Sequence, residues 1–67
     1  MKTEDIKEIA ERTPFRPFSV RLNNGMTYRF ESPRDIGAPA SYRMIFCFAN
    51  DQAVRIDADA ITEIVEA

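Results

Sequence analysis

The sequence predicts a single α+β domain that is mainly β: an N-terminal helix, then a strongly bent antiparallel sheet or small barrel of four to five strands. Three observations carry that expectation. Apolar residues recur at helical spacing only near the start, at Ile6, Ile9 and Ala10. From Phe18 onward they alternate with polar residues at the period of a strand, in short runs broken by Asn, Gly, Pro and Asp. Sixty-seven residues leave no room for a second domain, and five Phe with two Tyr are many core aromatics for so few strands, which favours a curled sheet with few exposed edges.

The helix begins at Thr3, read as its N-cap, with Glu4 and Asp5 in a first turn whose free N–H groups favour negative charge. Glu8 and Arg12, four apart and acid first, support it weakly. Pro14 disfavours helical geometry at Thr13 and ends it there. A helix this short is not stable alone and has to lie on the sheet.

Pro14-Phe15-Arg16-Pro17-Phe18 is a stiff lead-in, and Pro17 delays pairing until after it. Phe18, Val20 and Leu22 alternate with Ser19, Arg21 and Asn23; Met26, Tyr28 and Phe30 alternate with Thr27, Arg29 and Glu31. A two-residue Asn24-Gly25 loop would mix apolar and charged residues on one face. A three-residue loop with Gly25 left-handed sets Leu22 opposite Met26, Val20 opposite Tyr28 and Phe18 opposite Phe30, so all six share a face.

Ser32 to Ser41, with Pro33, Gly37 and Pro39, reads as a loop. The next strand puts Tyr42, Met44, Phe46 and Phe48 on the core face and Arg43, Ile45, Cys47 and Ala49 on the other. Asn50-Asp51-Gln52 turns the chain as an odd loop, setting Phe48 against Val54 and Phe46 against Ile56. After Asp57-Ala58-Asp59, the segment Ala60 to Val65 fits either a helical turn capped by Asp59 or a strand; a short turn followed by a last strand is preferred.

Composition excludes several kinds of chemistry. There is no His and one Cys, Cys47, so imidazole catalysis, His-ligated metal and Cys/His nucleophiles are absent from a single chain, as is an intrachain disulfide. The lone thiol fits a reducing cytoplasm. The longest apolar run, Met44 to Ala49, falls far short of a membrane span, and the N-terminus turns acidic where a signal peptide would turn apolar. Gly25 and Gly37 stand too far apart for a phosphate-binding loop. Asp51, Asp57 and Asp59 read as a solvated acidic turn; a hard-metal site needs more oxygens, and glycoside chemistry needs two carboxyls facing across a cleft. No cofactor or small-molecule substrate is expected, and the chain reads as a non-enzyme.

Charge is uneven although the whole chain carries only −2. Residues 12–43 hold six arginines against Glu31 and Asp35, a net +4; residues 51–67 hold Arg55 against Asp51, Asp57, Asp59, Glu63 and Glu66, a net −4. Three readings follow. Arg16, Arg21, Arg29 and Arg43 form a nucleic-acid surface on the first hairpin and beside it, near Tyr42 or Phe15. Or these arginines bond to acidic neighbours within the same fold. Or a basic edge on one subunit meets an acidic edge on the next in a head-to-tail ring whose mass falls as salt rises. The absence of Lys after Lys7 and a pI near 5.0 weigh against nucleic acid. With Ile45 and Cys47 assigned away from the core, that face needs a cover, either the helix through Ile6 and Ile9 or a second subunit. Cys47 is expected to be a buried small hydrophobe rather than a reactive thiol.

The helix, the string Phe18-Ser19-Val20-Arg21-Leu22-Asn23-Asn24-Gly25-Met26, two further strands and then Asp59-Ala60-Ile61-Thr62-Glu63-Ile64-Val65 resemble, in order and length, the layout of Sm-like proteins, the bacterial RNA chaperones among them being closest in size. The resemblance implies an Sm- or SH3-like small barrel and assembly into rings. It does not bring the RNA site with it. The chaperones' Tyr-Lys-His-Ala before an Ile aligns with Asp57-Ala58-Asp59-Ala60 before Ile61, so only Ala60 is retained, and the Lys and His positions hold Ala58 and Asp59. The Pro14-Phe15-Arg16-Pro17-Phe18 run is also similar to that of a group of short bacterial proteins that carry no assigned function.

The function expected is therefore self-assembly or protein interaction as a homo-oligomer, with Ile45 and Cys47 as the apolar contact and Arg21, Arg29 and Asp57 as polar flanks. The alternative is an RNA-binding regulator using Arg16, Arg21, Arg29 and Arg43.

Overall fold

A computed structural model of the chain describes residues 1–66. Helix α1 spans Thr3–Ala10. Thr3 is its first helical residue rather than its cap; the flanking Lys2 is extended, and its carbonyl takes the Asp5 and Ile6 N–H groups. Glu4 and Asp5 do occupy the first turn, and Ile6 and Ala10 are buried with Ile9 half-buried beside them. The helix stops at Ala10, before Pro14 acts, and Arg12 is spent on Glu66 rather than on Glu8.

Strands β1 (Phe18–Leu22) and β2 (Thr27–Phe30) pair in the expected register, Phe18 against Phe30 and Val20 against Tyr28. The three-residue loop closes through the Leu22 N–H on the Met26 carbonyl at 2.8 Å, and Gly25 has φ +88°. That conformation suits glycine because a Cβ would crowd the backbone. Phe18, Val20 and Phe30 are fully buried, and the Phe18 and Phe30 rings stack with centroids 4.9 Å apart. The shared face frays at its turn end, where Met26 stands 49% exposed.

Within the segment expected to be loop, Pro33–Asp35 forms a 3-10 turn held by a capping box between Ser32 and Asp35, and Ile36–Gly37 forms the short strand β3. It pairs with β4 (Met44–Ala49), which pairs with β5 (Gln52–Asp57). Ala58–Ala60 makes a second 3-10 turn, and β6 (Ile61–Glu66) returns beside β1. The preferred turn-then-strand ending is therefore what forms.

The strand count and the closure need correcting. Six strands form two antiparallel three-stranded sheets, ordered β2-β1-β6 and β3-β4-β5, and neither closes into a barrel. Their inner faces and the helix stripe share one core whose fully buried side chains are Ile6, Phe18, Val20, Phe30, Ile45 and Ile56.

The facing of β4 also needs correcting. Ala49 pairs with Gln52, so the loop is two residues, Asn50-Asp51, and both are left-handed with φ +53° and +60°. This is the dihedral pattern of a type I′ turn, which Asn and Asp tolerate better than most residues. A one-residue change in loop length inverts every side chain of the strand. Ile45 (0% exposed) and Cys47 (3%) accordingly enter the core opposite Ile56 and Val54, while Met44, Phe46 and Phe48 face outward. Tyr42, expected with them, is buried, because its own φ of +53° breaks the alternation just before the strand.

Candidate functional site

The inverted facing gives the β3-β4-β5 sheet an apolar outer side. Met44 and Phe46 are half-buried there and Phe48 is 44% exposed. Phe46 and Phe48, two apart on one strand, lie nearly parallel, with ring centroids 6.3 Å apart and planes 12° from each other. Their neighbours across the ladder are small or polar: Gly37 and Arg55 flank Phe46, Ala53 lies opposite Phe48, and Asp57 lies opposite Met44. A Cβ on Gly37 would meet Cε2 of Phe48 at 2.8 Å. The absent side chain of Gly37 is thus what lets the Phe48 ring lie across β3.

Arg55 and Asp57 border this row on β5, with Nε of Arg55 donating to Oδ1 of Asp57 at 3.2 Å. Beside them a groove of about 520 Å³ runs between Pro39, Arg43, Met44, Arg55, Asp57 and Asp59. It has two arginines and two aspartates along it and Met44 at its edge. Such a groove suits a mixed polar and apolar protein surface better than a phosphate chain, which two carboxylates repel.

The arginines expected on a nucleic-acid surface are dispersed. Arg21 pairs with Glu63 and Arg29 with Glu31 on the outer side of the other sheet. Arg43 borders the groove, and Arg16 lies in the lead-in before β1. Together with Arg12–Glu66, the Arg21–Glu63 pair joins the basic segment to the acidic one inside a single chain, which consumes charge that a head-to-tail ring would place between subunits. All four ion pairs are substantially exposed, so each is worth little. Among the described residues, Arg16, Arg34 and Arg43 make no ion pair.

Ile45 and Cys47, expected as an apolar contact, are instead filled in by the chain's own core. Burial pushes the Cys47 thiol up from its ordinary value, and the Asp35 carboxylate adds to the shift. Asp51 stands at the β4-β5 turn, apart from Asp57 and Asp59 along the groove, and no three of His, Cys, Asp and Glu converge among the described residues. No helix among them is long and apolar enough to cross a membrane.

Phe46, Phe48 and Arg55 are the site residues that the strand pattern hid. The signal for them was the pair Asn50-Asp51, two residue types that accept left-handed backbone in succession. No family model, curated protein or solved structure matches this chain.

Proposed function

We propose that this chain is a non-enzymatic protein-interaction or self-assembly module whose contact surface is the outer side of β3-β4-β5, comprising the apolar row and the open edge of β5. The observation that carries the reading is the Met44-Phe46-Phe48 row, which faces outward from a sheet whose inner face is already filled. Fully burying one such side chain is worth roughly 1.5–3 kcal/mol, so covering the row offers a partner a real gain. Arg55 and Asp57 supply the polar rim that typically surrounds an apolar contact. The setting is the reducing cytoplasm suggested by the single thiol, and the bent-sheet resemblance to Sm-like proteins is compatible with assembly without requiring it.

The RNA-regulator reading is weaker, because Arg21 and Arg29 each already face a carboxylate of their own chain. A photo-crosslinking residue placed at Phe48, at Arg29 and, as a control, at exposed Glu8 separates the readings in the cells that make the protein. Protein adducts from position 48 alone support the interaction module. Nucleic-acid adducts from position 29 would replace it with the RNA reading, and position 48 behaving like position 8 would end it.

A further inference from the structure

We infer that the open β5 edge of this surface takes a second copy of the chain, added antiparallel about a two-fold axis at Ile56, so that Arg55 of each copy stands opposite Asp57 of the other. The inference rests on the interaction-module reading and names its partner.

Four strands end a sheet: β2 and β6 in one, β3 and β5 in the other. They differ in fitness for pairing. β3 has two residues and β2 four. β6 has six, but its register against β1 shifts at Arg21/Leu22, and it carries Glu63 and Glu66, which self-pairing would crowd together. β5 runs in unbroken register from Gln52 to Asp57 and holds no Pro, no Lys and no bulge. Pro, bulges and charged side chains are devices by which sheet proteins keep an edge from recruiting another strand, and the only charges on β5, Arg55 and Asp57, are of opposite sign.

The backbone of β5 is presented in a defined way. A two-residue turn makes Ala49 and Gln52 a hydrogen-bonded pair, and such pairs alternate along an antiparallel ladder. Val54 and Ile56 therefore bond to β4. The N–H and C=O groups of Ala53, Arg55 and Asp57 face the free edge.

Charge selects the register. Directly opposite residues in an antiparallel pair share a face, so a two-fold axis must pass through a residue of β5. An axis at Arg55 makes two more backbone hydrogen bonds but sets the two Arg55 side chains against each other and leaves each Asp57 opposite Ala53. An axis at Val54 sets Asp57 opposite Asp51 of the second copy. An axis at Ile56 makes as many backbone hydrogen bonds as the Val54 register and places Arg55 opposite Asp57 twice. Because Arg55 already bonds Asp57 within its own chain, the four side chains then close into one network. The two apolar rows end on the same side of one continuous six-stranded sheet.

The test is sedimentation equilibrium of the full chain from about 10 μM to about 1 mM, beside Arg55→Asp, Asp57→Arg and the double reversal. The expected result is reversible doubling of the 7.7 kDa chain, weakened about tenfold by either single reversal and restored by the double one. Both positions are exposed, so the monomer fold tolerates the changes. Hydrogen exchange on the unaltered protein gives an independent reading: the Arg55 and Asp57 amides gain protection as concentration rises, while the Ala53 amide, which lies opposite the Ala58–Ala60 turn of the second copy, does not. A monomer throughout, a dimer indifferent to the reversals, or protection gained on β6 instead would each overturn the inference. A monomer that still cross-links another protein from Phe48 would leave the interaction module standing; loss of both would remove it as well.

Discussion

The Tyr42 hydroxyl donates a hydrogen bond to Oε2 of Glu11 over 3.0 Å, tying the end of α1 to the segment that launches β4. Tyr42 holds φ +53°, an uncommon conformation for a bulky residue, with its ring 8% exposed and its N–H bonded to the Pro39 carbonyl at 3.0 Å. The ring's burial and the bond to Glu11 together hold that conformation. Tyr42→Phe keeps the packing and removes only the hydroxyl. We expect it to cost about 1 kcal/mol, a fall of roughly 4–8 °C in Tm for a domain of this size. An unchanged melting curve would show that Glu11 does not anchor the helix.

Alkaline pH should weaken the fold through two groups. Burial raises the Tyr42 hydroxyl above its ordinary 10.0, with Glu11 adding first through the hydrogen bond and then through its charge. Burial likewise raises Cys47 above 9.0, and Asp35 adds to it. A raised value means the folded chain holds its proton longer than the unfolded chain does, so stability falls with pH in that window. Both contributions are complete below about pH 9 and are lost as the pH climbs through the folded values. Urea midpoints at pH 7 and at pH 10.5 should differ in that direction, and Cys47→Ala should flatten the lower part of the decline. The same burial makes Cys47 slow toward a thiol reagent in native buffer and fast in urea; equal rates would contradict it.

The β4-β5 turn offers a stabilising change. Asp51 sits at φ +60° as the second central residue of a two-residue turn, where Gly is favoured. Asp51→Gly should raise stability by about 0.5–1 kcal/mol, the left-handed strain released exceeding the entropy that glycine adds to the unfolded chain. Inserting one residue after Asn50 should do the opposite and severely, because it drives Ile45 and Cys47 out of the core. Chemical denaturation of the two variants measures both effects.

The contrast between the two hairpins shows what was legible in the sequence. In the first, Ser19, Arg21, Thr27 and Arg29 mark the solvent face of both strands, so polarity alone fixed the loop at three residues. β4 has no such marks, since Met44 to Ala49 is apolar throughout and either face could be the inner one. The facing then depends on one residue of loop length, and the large aromatics Phe46 and Phe48 were a misleading guide. The core was already supplied with aromatics by Phe18 and Phe30, and the smaller Ile45 and Cys47 fit the remaining space beside Ile56. Closure was illegible for a related reason: β3 is two residues long, too brief to leave a period in the sequence. The apolar contact expected at Ile45 and Cys47 and the outward row Met44-Phe46-Phe48 therefore lie on opposite sides of the same strand.

Gly37 gives the sharpest control over that surface. Its Cβ, if present, would lie 2.8 Å from Cε2 and 3.2 Å from Cζ of Phe48, the far end of a ring that is 44% exposed. The backbone at Gly37 has no left-handed requirement, so alanine there is not strained in itself. Gly37→Ala should swing the Phe48 ring off β3 into solvent, with a net stability change under about 1 kcal/mol, since the ring's lost contact is partly offset by a stiffer unfolded chain. It should also shift the Phe48 ring signals in the NMR spectrum while leaving the core signals in place. Pairing it with Phe48→Ser should remove the collision and leave the alanine neutral or slightly stabilising. If Gly37→Ala instead costs several kcal/mol and Phe48→Ser does not relieve it, the crowding lies with the backbone or with Phe46, and Phe48 is not the ring that rests on β3.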